Sequence, residues 1–385
     1  MKFLPSVRVV AALFAAAISS LQAQNPPAPA PGAPSPAKPS AQPTPEPKLD
    51  WYDVTKWGVE GRAWGDLERL RWFDRLPANA VGKVSPAVWD LSRDSAGMMV
   101  RFKTDATTIF VHYVLRSDHI ALPHMPATGV SGIDLYARDE NGKLRWVGVA
   151  KPDKKEVRQA IATELAQGSR EYAAYLPLYN GVDSLEIGVN AGAHFEGLKP
   201  REAKPIVFYG TSITHGACAS RPGMVHTAIL GRHLDRPVIN LGFSGNGRMD
   251  AAVGEFLTKV DAAVYVIDCL PNMGPADVRK KCAPLVHQLR AAHADTPIVL
   301  VEDRRTTNSW IKPNRDKVHT ENHAALRESF DALEKEGVKN LYYIPGDDLL
   351  GDDGEASTDG SHPSDLGFVR QTAVFEPVLR KALGE

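Results

Sequence analysis

A serine hydroxyl becomes a useful nucleophile when a base takes its proton, and a histidine serves as that base when an acceptor fixes its tautomer. The chain carries all three parts. Ser212 stands in Gly210-Thr211-Ser212-Ile213-Thr214, and Asp359-Gly360-Ser361-His362 offers an acid and a base three residues apart, so one loop delivers both. Two further blocks hold groups suited to a developing oxyanion: Gly242-Phe243-Ser244-Gly245-Asn246-Gly247 is a glycine turn, and Asp268-Cys269-Leu270-Pro271-Asn272-Met273 brings a side-chain amide. Chemistry of this kind is acyl transfer. Each residue also has a plainer use: Ser212 as a helix cap, Asn272 as a turn former, and His215 as a polar residue at a helix start or a second base. The placement of the blocks along the chain favours the chemical use.

Each block follows a short apolar run. Ile206–Tyr209, Val238–Leu241, Ala263–Ile267, Ile298–Val301 and Leu341–Ile344 lack alternation, as strands covered on both faces do. Helical patterns separate them. Val278, Cys282, Leu285, Val286 and Leu289 recur at helical spacing, with Pro284 predicting a kink or a later start. Thr320 to Glu336 reads as a helix stopped by Gly337, and Ser364 is placed to cap a terminal helix. Five β-α units predict an α/β domain with a flavodoxin-like, doubly wound parallel five-stranded sheet. Such a sheet takes ligands at the carboxyl ends of its strands, so the four blocks converge on one rim. His215, Arg248, Glu302, Asp303, Arg304 and Trp310 fall near the same ends and are candidate substrate contacts.

Residues 49–200 have a different rhythm. Met98–Phe102, Thr108–Leu115 and Leu185–Val189 are short and β-branched or alternating, and Ile133–Ala137 and Leu144–Val149 flank the hairpin signal Glu140-Asn141-Gly142. This predicts an all-β sandwich ahead of the α/β domain at 201–385. Six of the seven tryptophans lie in it, which fits core and interface packing better than a sugar-binding face. The segment Ser117–Ser131, with His119 and His124, is longer than a hairpin needs and long enough to reach over the catalytic rim. His124 therefore joins the substrate-contact candidates.

Residues 1–23 read as a signal peptide: Lys2 and Arg8 precede an apolar run about half as long as a membrane span, and small residues follow up to Ala23. Residues 24–48 are a Pro/Ala-rich linker. Export to periplasm or beyond is the expectation. With 45 Lys+Arg against 46 Asp+Glu, the formal charge of −1 gives no field to attract nucleic acid or anionic membrane. Cys218, Cys269 and Cys282 are an odd set, read as buried thiols with one disulfide as the alternative. The acidic run Asp347 to Glu355 lacks the full EF-hand pattern, so no metal is expected.

The blocks GTSIT, NLGFSGNG, CLPNM and DGSHP, in this order, resemble those of the SGNH hydrolases, or GDSL-type esterases, and Gly132-Ile133-Asp134-Leu135-Tyr136 resembles the GxDLY-type β domain that precedes some bacterial members. Two blocks depart from the pattern: GTS replaces GDS, and PNM replaces GxND. The resemblance implies Ser212 as nucleophile, His362 as base, Asp359 as its acceptor, and an oxyanion hole of the Ser212 and Gly245 N–H groups with the Asn272 amide. It also implies a cofactor-free serine esterase acting on an acylated carbohydrate or another small ester, with O-acetyl removal foremost. A lipid or aryl esterase and an acyltransferase are the alternatives, as is a glycan-binding protein with an idle hydrolase half.

Overall fold

The computed structural model describes residues 48–65 and 67–385. The expected signal peptide and all but the last residue of the linker lie outside them. Nine strands build the first part: β1 (Leu49–Asp53), β2 (Met99–Thr104), β3 (Ile109–Leu115), β4 (Asp134–Arg138), β5 (Leu144–Val149), β6 (Glu156–Ala162), β7 (Arg170–Tyr175), β8 (Val182–Asn190) and β9 (Phe195–Leu198). They form two antiparallel sheets, ordered β1-β8-β3-β6 and β5-β4-β7-β2-β9. In β3 buried and half-buried residues alternate, and the inward set packs with Phe102, Ile133, Leu135, Tyr172 and Ile187 into the sandwich core.

Five strands build the second part: β10 (Ile206–Gly210), β11 (Val238–Gly242), β12 (Val264–Asp268), β13 (Ile298–Val301) and β14 (Leu341–Ile344). All pairings are parallel, in the order β11-β10-β12-β13-β14. By chain order this is 2-1-3-4-5, the flavodoxin-like arrangement, whose switch point lies between its first and third strands. In register, Gly210 faces both Gly242 and Asp268. The blocks that follow these three residues therefore start at one level on one edge of the sheet.

The helices correct two expected starts. The helix Pro275–Ala292 runs through Pro284, which is exposed, while Val278, Cys282, Leu285, Val286 and Leu289 are all buried. Proline on the wet face leaves its lost backbone partner to water, so the buried stripe decides the helix. The helix predicted from Thr320 instead begins at Pro313, a favoured first-turn residue, and ends before Gly337 at φ +87°. Ser364 occupies the cap of the final helix Asp365–Leu383, but its side chain makes no capping hydrogen bond.

The expected β-sandwich over residues 49–200 is present, but it is interrupted by the short helix Ala127–Val130 and by one long stretch. The described residues among 54–98 hold 3₁₀ turns and the helix Pro86–Leu91, and no strand. Trp64, Leu76, Ala80, Val84 and Val88 from this stretch bury themselves with Tyr209, Leu241, Phe243 and Phe256 of the α/β part. Trp64 Nε1–H donates to Phe256 O at 3.0 Å. The GxDLY residues do similar work on the other side. Asp134, fully buried, accepts from Arg221 Nη1 at 2.8 Å, Gly223 N at 2.8 Å and Trp146 Nε1 at 2.9 Å. A third apolar cluster joins Met99, Met125, Val130, Tyr136 and Leu178 to Ile213, Ala217, Ile229 and Phe368. The short connection before β10 thus leads into a shared interior.

Candidate active site

Ser212 opens a four-residue helical turn, Ser212–His215, directly after β10. Thr211, not Ser212, is its cap: Thr211 Oγ1 accepts from Ile213 N at 3.3 Å, and Gly216 at φ +112° closes the turn. The serine hydroxyl is left for other work. Its Oγ lies 2.8 Å from His362 Nε2, and His362 Nδ1 lies 2.7 Å from Asp359 Oδ2. A short loop delivers both partners, because Asp359 Oδ1 accepts the N–H groups of Ser361 (2.9 Å) and His362 (2.8 Å). Burial pushes the Asp359 carboxyl up, but the hydrogen bonds from the His362 ring and from these two amides outweigh it and hold the group at about 2. An ionised Asp359 keeps the ring proton on Nδ1 and leaves Nε2 to accept from Ser212.

The loop after β11 packs against the start of the nucleophile turn. Phe243 N–H donates to Gly210 O at 2.9 Å, and a Cβ on Gly247 would run into Gly210 O, so only glycine permits this approach. Gly245 takes φ +69°, and Arg248 Nε donates to its carbonyl at 3.0 Å. Asn272 ends a 3₁₀ turn after β12, and its amide is oriented by its neighbours: Oδ1 accepts from Asn246 N at 3.1 Å and Gly247 N at 3.2 Å. Its NH₂ is left as a donor. The N–H groups of Ser212 and Gly245 have no hydrogen-bond acceptor among the described residues. These three donors are the ones expected for an oxyanion hole.

Four of the expected substrate contacts are corrected. His215 is fully buried, stacked on Tyr179 at 4.2 Å between ring centres. Burial, reinforced by the Arg75 charge, holds its imidazole well below the usual range, so it is neither a second base nor a contact. Glu302 is 7% exposed and accepts from Tyr343 Oη and, at 2.7 Å, from Gly346 N. Arg304 is 6% exposed and donates through Nε to Ser361 O at 2.9 Å, which braces the loop of Asp359 and His362. Asp303 is buried too, paired with Arg304 and His319. Trp310 by contrast is 82% exposed, on a loop tied to the histidine loop by Thr307 N–H to Gly360 O at 2.9 Å. His124 is exposed as well, its ring centre 6.1 Å from that of His362, so the segment 117–131 does reach the rim.

Other residues of the site escaped sequence reasoning. Tyr179 Oη donates to Ser212 O at 3.3 Å, and Arg75 grips the carbonyls of Asn240 (3.0 Å) and Gly242 (2.8 Å) at the root of the Gly245 loop. Cys218, Cys269 and Cys282 are all buried free thiols, so the alternative of a disulfide among them is not realised. Cys218 lies against Asp359 and His362. Burial, and the Asp359 charge, push its thiol up to about 11 despite a hydrogen bond with Thr358, which makes it no rival nucleophile.

Comparison with known proteins follows the same lines. The GDSL-like lipase/acylhydrolase family matches residues 203–380, and the N-terminal domain of SGNH-hydrolase-type esterases, GxDLY, matches residues 49–195. A GDSL-like lipase from Bacteroides ovatus is 33% identical, with a TM-score of 0.83 over 88% of this chain and 98% of its own. The chain belongs to the GDSL-like lipase/acylhydrolase family. Fold alone is shared with a salicylyl-acyltransferase from a tetracycline biosynthetic pathway (19% identity, TM-score 0.68, 87% of this chain and 98% of that one). The same holds for a family two carbohydrate esterase from Cellvibrio japonicus (12%, 0.57, 88% and 98%). No curated protein matches the chain. As a member of this family it is an SGNH-type acylhydrolase.

One buried acid of this acylhydrolase gives a pH prediction. Asp268 ends β12, and burial pushes its carboxyl up to about 7, against the pull of the Thr214 hydroxyl and the Arg304 charge. The unfolded value is about 3.9, so the folded state keeps a proton that the unfolded chain gives up. Its contribution to stability is fully present below pH ~4 and is lost as pH rises to about 7. Asp268→Asn, which cannot ionise, is expected to raise stability at pH 8 by on the order of 1–4 kcal/mol, read as a higher melting temperature, and to leave the melting temperature unchanged at pH 4. Equal shifts at both pH values in a thermal scan would refute the assignment.

Proposed function

We propose that this chain is an exported serine esterase that removes short acyl groups, O-acetyl foremost, from carbohydrate through an acyl-serine intermediate. The observation that carries the reading is the continuous line from Ser212 Oγ through the His362 ring to Asp359 Oδ2. In it, Ser212 attacks the ester carbonyl while His362 takes the hydroxyl proton, and the Ser212 and Gly245 N–H groups with the Asn272 amide receive the oxyanion. His362 returns the proton to the departing alcohol, and water, activated by the same ring, releases the acid. The acylated alcohol is argued from the rim. Exposed His124 and Arg248 stand beside the triad and the Gly245 loop, and exposed Trp310 follows the segment tied to the histidine loop, a mixture that suits a ring with an apolar face and hydroxyl edges better than a long acyl chain. Export rests on the composition of residues 1–23.

The test is a substrate panel. Acetylated xylan and glucomannan, 4-nitrophenyl acetate and 4-nitrophenyl palmitate are supplied in turn, and the released acid is quantified by proton NMR. Acetate release from a polysaccharide, with little turnover of the palmitate, is expected, unaffected by EDTA. Preference for the palmitate would replace the reading with a lipase. Transfer of the acyl group to an added alcohol in preference to water would make the protein an acyltransferase.

A further inference from the structure

Cys218 has no part in the acyl-transfer steps, yet its placement is specific. The chain leaves the nucleophile turn through Gly216 and then holds Cys218 at φ +70°, a left-handed conformation that a cysteine seldom adopts. Such a conformation persists only where the surroundings impose it. Here it sets the thiol, buried to 7% exposure, against Asp359 and His362, with a hydrogen bond to Thr358. One Sγ, one ring nitrogen and one carboxylate oxygen then lie within 4.8 Å of one another. No other such trio of His, Cys and acid occurs among the described residues.

We propose that Cys218, Asp359 and His362 form an inhibitory site for a thiophilic divalent cation of the zinc class, which switches the esterase off by taking the face of His362 that Asp359 occupies. The donor set is the mixed sulfur, nitrogen and oxygen set that zinc accepts. With bonds of about 2.0–2.3 Å, tetrahedral ligation needs donor atoms roughly 3.3–3.7 Å apart. Asp359 Oδ2 and His362 Nδ1, 2.7 Å apart as a hydrogen bond, would part to admit the cation, Cys218 Sγ would close on it from within 4.8 Å, and water would complete the shell.

Binding changes protons and no electrons. The Cys218 thiol gives its proton to solvent and ligates as thiolate, and Asp359 ligates as the carboxylate it already is. His362 offers its Nδ1 lone pair to the cation, so the single proton of the neutral ring moves to Nε2. That nitrogen then faces Ser212 Oγ as a donor and has no lone pair to accept the hydroxyl proton. The nucleophile is left intact and unactivated. The inference rests on the roles given to Ser212 and His362 for its effect on turnover, but the site itself depends on neither role.

Two measurements separate these layers. First, ZnCl₂ is titrated into the full-length protein hydrolysing 4-nitrophenyl acetate, followed by EDTA. Reversible inhibition is expected in the wild type. In Cys218→Ala the half-inhibitory zinc concentration should rise at least ~10-fold, since losing even an outer-shell partner of a metal typically costs that much, while kcat/KM without zinc is unchanged. Second, CoCl₂ is added to Ser212→Ala, which needs no activity. A near-ultraviolet thiolate-to-cobalt charge-transfer band is expected there, and should be absent when Cys218→Ala is added to Ser212→Ala. Equal zinc sensitivity of Cys218→Ala and wild type, or a cobalt band that survives loss of Cys218, would overturn the site. A clean cobalt result with no hydrolysis by the wild type would instead leave the site standing and fault the esterase reading.

Discussion

Ser212→Ala folds as the wild type does and loses ester hydrolysis by roughly 10⁵- to 10⁶-fold in kcat, the size of loss seen when a triad serine is removed elsewhere. The large effect follows from covalency. The hydroxyl is the atom that carries the acyl group, and no neighbour stands ready to replace it: the Cys218 thiol is held neutral, and His215 is sealed beneath Tyr179. The small effect on folding follows from geometry. Thr211 and Gly216, not the Ser212 side chain, start and stop the nucleophile turn, so alanine there removes one hydrogen bond, to His362, from a rim already in contact with solvent. The melting temperature should therefore move by no more than ~2 °C. Residual turnover comes from the Ser212 and Gly245 amides and Asn272, which polarise a bound ester whatever attacks it. A serine-directed phosphonate should label the wild type at Ser212 alone and spare the variant. Near-native turnover by Ser212→Ala, or phosphonate on another serine in a peptide map, would remove the basis for the mechanism.

The parallel sheet was legible because its strands leave little room for ambiguity. A strand buried on both faces must be apolar throughout, as β13 is, and β13 and the half-buried edge strand β14 run over the very residues that the apolar runs mark, with β10 to β12 differing by a residue at one or both ends. The functional blocks were legible for the related reason that a doubly wound sheet puts its chemistry directly after its strands. β6 and β7 were not. EVRQAIA and REYAAY mix charges with small residues, and only their neighbours in the sheets make them strands. Residues 54–98 misled for the opposite reason, since their apolar residues divide between the two cores: Trp57, Trp72 and Phe73 pack with the sandwich, while Trp64, Leu76 and Val88 enter the α/β interior.

Charged residues at strand ends show where sequence stops. Glu302, Arg304 and Trp310 occupy comparable places after β13, yet the first two turn inward and the third outward. The difference lies in partners far along the chain: Gly346 N and the Tyr343 hydroxyl for Glu302, Ser361 O for Arg304. Spacing carries no record of these contacts. Tyr179 and Arg75 were invisible on the same ground, for each acts across the boundary between the two halves of the described chain.

Arg75 is where that boundary is most expensive to disturb. Its side chain is 1% exposed and sends Nε to Asp94 O (2.9 Å), Nη1 to Asn240 O (3.0 Å) and Gly242 O (2.8 Å), and Nη2 to Leu91 O (2.6 Å), with the guanidinium 5.2 Å from the Phe243 ring. Burial pushes the guanidinium down to about 10, with the Asp94 charge pushing it up. It is still charged at neutral pH. Arg75→Met keeps much of the volume but takes the donor from three buried carbonyls and from Leu91 O, and removes one of the two cations beside Asp94, leaving Arg116 at 3.5 Å, a class of change that costs about 3–5 kcal/mol. For a chain of this size a fall of roughly 6–15 °C in melting temperature is expected. Activity should suffer in a particular way. Gly242 and Asn240 anchor the loop that bears Gly245, so loosening them displaces an oxyanion donor and lowers kcat by about 10-fold or more, with a smaller change in KM. Tyr179→Phe is the milder companion: it keeps the ring over His215, loses the hydroxyl's bonds to Ser212 O and to Ser244, and should cost about 1 kcal/mol. Wild-type melting and turnover in Arg75→Met would mean that the first half of the described chain leans on the catalytic half without building it. The expected pair of losses would make residues 49–200 part of the oxyanion hole's foundation.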